Sequence, residues 1–515
     1  MSESSNSGYT SPKDIGTSDA DIVKRWALEL DLADKAEKEW RKQADAVIKR
    51  YRGAKAKKNS FNILWSNTET LRQAIYNTLP KPDVRRRFRD DDPVAKVVSQ
   101  VLERCAEYAI DTYDFDAILK QDVMNMLLPG RGLSRVKYVP DFEDMEVDAS
   151  QETKEGGDEE GKPESNDPSE PEQRIAYESV MCEHVQYDDF RHGPGKTWDE
   201  VQWVAFRHKF SETGGIEKFG AIFKDVQLDD VAEESIKKAG EIGALFKTGE
   251  VWEIWNKDDK TVLFVAKQYK KSPLQVEDDP LELDGFFPCP RPLYAIEDAT
   301  SLEPTILFAQ YKEQADELDR ITSRINSLTD ALKVRGIYNS VMKEIAQLVD
   351  AGDNQLIPVK NVEAMIESGG LEKHIWYMPI EMAANVIKIL MEQREACKSV
   401  IYEITGISDI MRGATNAQET MGAQQIKSQW GTQRLKKMQA EFQRYVRDIV
   451  RLKCQIIANK FQPETIMQMT GLKLAQTDAE KDQIKQQAQS FQQYQQSQQQ
   501  AQQQPPQGQP MGVHP

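Results

Sequence analysis

Cys182 and His184 stand two positions apart, so a strand would place both on one face, and His192 follows shortly after. A thiol and two imidazoles are a donor set for zinc, which takes sulfur and nitrogen ligands in tetrahedral sites. No second spaced pair completes the set, and no metal is expected from it. The same neighbourhood holds "GPGKTWDE" (Gly193 to Glu200), with the Gly-Lys-Thr of a phosphate-binding loop. Such a loop needs a further glycine five residues before its second one, so that successive backbone N–H groups wrap the phosphates. That position is Phe190, and the segment that follows, "EVQWVAF", alternates like a strand where a helix is required. A tight turn between strands is the expected structure. G-x-S-x-G and H-E-x-x-H are both absent, and no stretch unites a nucleophile, a base and an orienting group. Neither an enzyme nor a cofactor is expected.

A different stretch is polar without looking catalytic. "GISDIMRGATNAQ" (Gly406 to Gln418) is a glycine-punctuated loop carrying Met411, Arg412, Thr415, Asn416 and Gln418. Directly behind it, Leu435, Met438, Phe442, Tyr445, Ile449, Leu452 and Ile456 recur at steps of three and four. That spacing predicts a helix with one apolar seam. No proline or glycine interrupts Thr432 to Lys460, giving about 29 residues and roughly 43 Å at 1.5 Å per residue. The opposite face carries Arg434, Lys436, Lys437, Arg444, Arg447, Arg451 and Lys453, which reads as a solvated basic face or one beside a polyanion.

The rest of the chain must position that loop and helix. Asp21 to Tyr51 reads as one charged amphipathic helix, and Phe61 to Leu79 as another, closed by Pro80 and Pro82. Asp92 to Tyr113 follows, with Val94, Val97, Val98, Val101, Leu102 and Tyr108 facing inward, and then Phe115 to Leu128. "GLSRVKYVP", "IAYESVMCEHV", "VQWVAFRHKF" and "EVWEIWNKDDKTVLFVA" alternate as strands, the last as a hairpin turning at Lys257 to Lys260. A long helix is expected at 301–333. After it come the short strands "GIYNS", "NQLIPV" and "HIWYMPI" around a helix at Met342 to Asp350. A further helix, Glu381 to Ile404, is expected to face inward through Met382, Val386, Ile389, Cys397, Val400 and Ile404.

Bulk properties bound the functions open to it. The 515 residues exceed one ordinary core. Mean hydropathy of -0.65 suits a soluble protein, and no apolar run is long enough to span a membrane. The first residues, 1–20, lack a signal-peptide core and read as a polar arm. Five dispersed cysteines without a C-x-x-C argue for free thiols in a reducing compartment. A net charge of -17 excludes a protein that grips DNA through many phosphates; contact with DNA would be local and sparse. Part of the acid sits in a nearly non-apolar insert, 141–173, which reads as a disordered surface loop. The Gln-rich end, 486–515, reads as a low-complexity tail.

The order of helix, insert, helix, polar loop and very long helix resembles the portal (head–tail connector) proteins of tailed bacteriophages, nearest those of short-tailed (podovirus) phages. The stretches that carry the resemblance are "FNILWSNTETLRQAIYNTLPKPDVRRRF", "VVSQVLERCAEYAI", "RHGPGKTWDEVQWVAFRHKF", "ADELDRITSRINSLTDALKVRGIYN" and "IYEITGISDIMRGATNAQETMGAQQIKSQWGTQRLKKMQAEFQRYVRDIV". The resemblance implies a mainly α, elongated subunit with an α+β wing, built into a dodecameric ring at a unique capsid vertex. Its regions would be an α+β wing at 21–300, a first stem helix at 301–333, a clip at 334–380 and a second stem helix at 381–405. A tunnel loop at 406–418, a long wing helix at 419–461 and a crown at 462–485 would follow. Implied too are passage of double-stranded DNA past Met411, Arg412, Thr415, Asn416 and Gln418 without base reading, and genome packaging and ejection. The partners would be major capsid and scaffolding proteins, the terminase large subunit and head–tail adaptor proteins. The place would be the virion, after assembly in the bacterial cytoplasm. Two other readings fit the residues less well: another neck or tail adaptor ring, and a nucleic-acid-processing enzyme.

Overall fold

The computed structural model describes residues 18–53, 61–86, 93–144, 173–229, 247–331, 336–338, 362–367, 375–377, 381–407 and 421–472. It is mainly helical with a β part. Two units are distinguished: Met1–Lys81, Ile110–Val139 and Val180–Asn459 form the larger, and Pro82–Ala109, Pro140–Ser179 and Lys460–Pro515 the smaller.

The larger unit begins with two helices where the sequence predicts one. α1 (Asp19–Ala36) is capped by the Ser18 hydroxyl, which accepts from the Asp21 N–H. α2 (Lys38–Tyr51) starts after Glu37, whose backbone leaves the helical region at ψ 9. At the break the Glu37 carboxylate is buried against Arg131. α3 (Ile63–Ile75) ends before the prolines, where Tyr76 turns extended and its hydroxyl donates to Asp116 at 2.6 Å. α4 (Pro93–Thr112) belongs mostly to the smaller unit and α5 (Phe115–Leu127) to the larger.

β1 (Arg131–Gly132) passes so close to α5 that a Cβ on Gly132 would lie 2.3 Å from the Asp122 carbonyl oxygen, so only glycine fits. β2 (Ser134–Asp144) and β3 (Gln173–His184) pair with each other; the acidic insert between them lies almost wholly outside the described residues. β4 (Phe190–His192), β5 (Trp203–Phe210), β6 (Gly249–Asn256), β7 (Thr261–Val265) and β8 (Gln275–Asp278) form one antiparallel sheet in that order, with α6 (Glu212–Phe219) between β5 and β6. The turn between β6 and β7 falls at Lys257–Lys260 as expected. Alternate residues Trp203 and Ala205, Trp252 and Ile254, and Leu263 and Val265 line one face and pack against Val23, Trp26 and Leu30 of α1. β9 (Leu293–Tyr294) pairs with β1.

α7 (Lys312–Ala331) starts later than the predicted 301, after a 3₁₀ turn at Leu307–Tyr311. Pro304 explains the delay: it lacks an N–H and holds Glu303 out of the helical region. β10 (Gly336–Tyr338) pairs antiparallel with β11 (Ile375–Tyr377), and α8 (Val362–Glu367) lies between them in sequence. The predicted strand "NQLIPV" and the helix at 342–350 lie outside the described residues. α9 (Glu381–Thr405) runs antiparallel to α7, with Leu390 against Ile321 and Ile325, and Ile401 beside Ala315 and Leu318.

The inward faces of two helices need correcting. On α9, Leu390, Ile401 and Thr405 are buried and the expected Cys397 and Ile404 pack half-buried against the core, while Met382, Val386, Ile389 and Val400 are exposed. On α4, Val94, Val97 and Val98 are exposed, whereas Val101, Cys105, Ala106 and Ala109 are buried. Each helix carries two adjacent apolar stripes, and periodicity alone selects neither.

α10 (Met421–Lys460) spans 40 residues and runs through Gly422 and Gly431, more than the expected length. A glycine inside a helix costs roughly 1 kcal/mol, a penalty and not a stop. Its seam is as expected at Phe442, Tyr445, Ile449 and Ile456, all buried. Its basic face is as expected at Arg434, Lys436, Lys437, Arg447 and Arg451, all exposed, but Lys453 is 0% exposed, its ammonium 4.8 Å from the Phe115 ring centre. α11 (Pro463–Thr470) belongs to the smaller unit, where Arg104 donates to the Thr470 carbonyl at 3.3 Å.

All five cysteines are free; Cys105, Cys182 and Cys289 are buried. Burial pushes the Cys105 thiol up to about 11 and Cys182 to about 12, and raises Cys289 as well. Among the described residues no helix is long and apolar enough to cross a membrane.

Candidate functional site

Met411, Arg412, Thr415, Asn416 and Gln418 lie outside the described residues, but both feet of their loop are described. α9 ends at Gly406, which has φ 72 and donates its N–H to the Tyr402 carbonyl at 2.8 Å. Left-handed backbone of this kind favours glycine, and here it closes the helix. Ile407 is buried beside it. On the far side, Arg434 of α10 donates to the carbonyls of Glu403 and Ile404, at 3.3 Å to Glu403. A guanidinium at the C-terminus of α9 meets the negative end of the helix dipole. Arg434 therefore ties the end of α9 to the interior of α10, well beyond the residue at which that helix begins.

Of the described histidines, His184 joins one buried cluster, with Cys182 beside it, and His192 another. In the first, α5, β2, β3 and α10 converge on Asp122, which is fully buried. It accepts from the Ser134 hydroxyl at 2.5 Å and the Tyr445 hydroxyl at 2.9 Å, and its other oxygen lies 2.5 Å from His184 Nδ1. His184 Nε2 lies 2.9 Å from the Asn125 amide nitrogen. Ser134 is thus bonded to the carboxylate and not to the imidazole. Burial pushes Tyr445 well above its ordinary range, with Asp122 adding to it. Burial draws Lys453 down, against the opposing influence of Cys182 and Cys454.

In the second cluster Glu37 receives Arg131 at 2.6 Å and Arg41 at 2.6 Å. His192 Nε2 lies 3.2 Å from Glu37 Oε1, near enough to ion-pair but off the line of a hydrogen bond. Burial alone would raise the Glu37 carboxyl; Arg131 and His192 outweigh it and hold the group well below the usual carboxylate range. Glu253, buried between Arg135 and His208, is held low in the same way. These clusters are densely ion-paired, though Arg41 Nε, Arg131 Nε and His192 Nε2 are buried without a hydrogen-bond partner among the described residues. Among the described residues no group of three or more His, Cys, Asp or Glu is arranged to hold a metal ion.

"GPGKT" forms the turn between β4 and β5, where the Gly193 N–H donates to the Trp203 carbonyl at 2.8 Å and the Lys196 N–H to Glu200. Sequence reasoning missed the Glu37 cluster. Only Arg41, four residues on, was a local sign of it; Arg131 and His192 arrive from distant strands. No protein-family model matches the chain, and no curated protein matches its sequence.

Proposed function

We propose that the chain is the subunit of a portal ring of a short-tailed phage, the conduit for packaging and ejecting double-stranded DNA. The observation that carries this reading is the antiparallel pair α7 and α9. A small insert containing β10 and β11 separates them, and a polar loop and the 40-residue α10 follow. In the ring, α7 and α9 would be stem helices and the insert the clip. The loop 406–418 would be the tunnel loop, with Arg412 its one cation before Ala414–Gln418. A net charge of -17 suits a wall that keeps the duplex near the axis, because each neutralised phosphate adds affinity and slows sliding. The exposed stripe on α9 supplies apolar surface for a neighbouring subunit. Dodecameric stoichiometry and docking of terminase, then adaptors, belong to the same proposal. Electron microscopy of the purified protein is expected to show rings with a central hole. A monomer near 58.8 kDa at every concentration would overturn the reading.

A further inference from the structure

Within the smaller unit α4 buries only part of its apolar surface. Val94, Val97 and Val98 are 67%, 55% and 49% exposed, whereas Val101 and Cys105 further along the helix are buried. Val94 and Val98 stand seven residues before Val101 and Cys105, which is two helical turns, so the exposed stripe runs on into the buried one. The cover over the second half of α4 stops short of the first.

The chain itself starts a further segment beside this helix. Arg104 of α4 donates to the Thr470 carbonyl at 3.3 Å, and the last described residue is Leu472. Residues 473–515 continue from there and belong to the same unit as α4. Arg104 and Val97 lie about 10 Å apart along the helix at 1.5 Å per residue. Lys473 to Gln483 spans up to ~36 Å when extended, so Ile484 reaches the stripe with chain to spare.

That segment carries a matching face. Thr477 and Glu480 have the spacing of a capping box, and glutamine is a good helix former, so its sequence predicts a helix from Asp478 into the first glutamines. Ile484, Ala488 and Phe491 recur there at steps of four and three, one apolar line among polar residues. The other stretches of the smaller unit outside the described residues offer no such face. Residues 87–92 hold Phe88 among charges, and 145–172 has no Leu, Ile, Val, Met or aromatic residue after Val147.

We propose that residues 478–494 dock on α4 of the same chain as an amphipathic helix, with Ile484, Ala488 and Phe491 against Val94, Val97 and Val98. Gln486 and Gln493 then face solvent. The start of the glutamine-rich end is thus a packed element and only the remainder a tail. The proposal concerns one chain and stands apart from the ring reading.

Hydrogen exchange of the full chain tests it, read in peptides covering 94–101 and 480–494. Both are expected to be protected, and to stay so on dilution. Ile484→Asp with Phe491→Asp should speed exchange in both about tenfold, because the two helices then open without each other. Gln486→Asp with Gln493→Asp puts the same charges at the same spacing on the opposite face and should leave both rates as in the wild type. Val97→Asp with Val98→Asp, at exposed positions, should speed exchange in 480–494 reciprocally. Three results would each overturn the proposal. They are exchange in 480–494 at the rate of an unstructured chain, no response of 94–101 to Ile484→Asp with Phe491→Asp, and protection that disappears on dilution, which marks a second copy as the cover.

Discussion

Glu37 carries more of the larger unit than its place in the sequence announces. It ends α1, and it neutralises Arg131, which is 1% exposed and whose ion pair among the described residues is with this carboxylate. Glu37→Gln leaves that guanidinium buried and unpaired, at a cost of about 3–5 kcal/mol. Thermal denaturation near neutral pH should show a large drop in Tm. The pH dependence has a definite sign. The folded carboxyl titrates below its ordinary 4.5, so across that window the folded chain binds fewer protons than the unfolded one. Stability then rises with pH there: Glu37's contribution is complete above about pH 5 and is lost as pH falls below it. Glu253 acts in the same direction. Glu37→Gln should flatten, though not remove, the acid limb of a Tm–pH curve. None of this was legible in the sequence beyond the Glu37–Arg41 spacing, because the pairing is made by folding and not by periodicity.

Helices and strands were the most legible part, and the inward faces misread on α9 and α4 share one cause. The seam of α10 was read correctly because its other face is charged, leaving one apolar side to choose. Lys453 escaped that reading since its aliphatic stem packs like a hydrophobe while the ammonium finds the Phe115 ring. On α9 and α4 two apolar stripes adjoin, and only packing decides which goes inside. The strands from 203 to 265 were legible because Trp203, Ala205, Trp252, Ile254, Leu263 and Val265 keep strict alternation. The candidate loop was legible only as composition; the tie from Arg434 to the end of α9 was not legible. At this scale Phe442 gives the sharpest test. It is 6% exposed, and its ring lies 5.2 Å from that of Tyr76. Phe442→Ala should cost about 3–5 kcal/mol, whereas Lys437→Ala on the exposed face should change stability by less than about 0.5 kcal/mol. Chemical denaturation of the two variants side by side checks the contrast.

At the scale of the whole molecule, assembly and folding separate on α9. Val386 and Ile389 are 41% and 54% exposed, so Val386→Glu with Ile389→Glu removes apolar surface without opening a core. On the proposed ring reading, this pair should abolish large assemblies in light scattering while circular dichroism stays that of the wild type. Rings that persist would move the subunit contact elsewhere. The buried thiols add a consequence of another kind. A thiol reagent attacks the thiolate, and burial suppresses ionisation at Cys105 in the smaller unit and at Cys182 and Cys289 in the larger. Each can be modified only when its own surroundings open. The rate at which Cys105 takes up label is therefore a clock for one unit, and the rates at Cys182 and Cys289 a clock for the other. A single chain thus times its own openings separately, with no added probe, and any agent that loosens one unit alone will desynchronise the two.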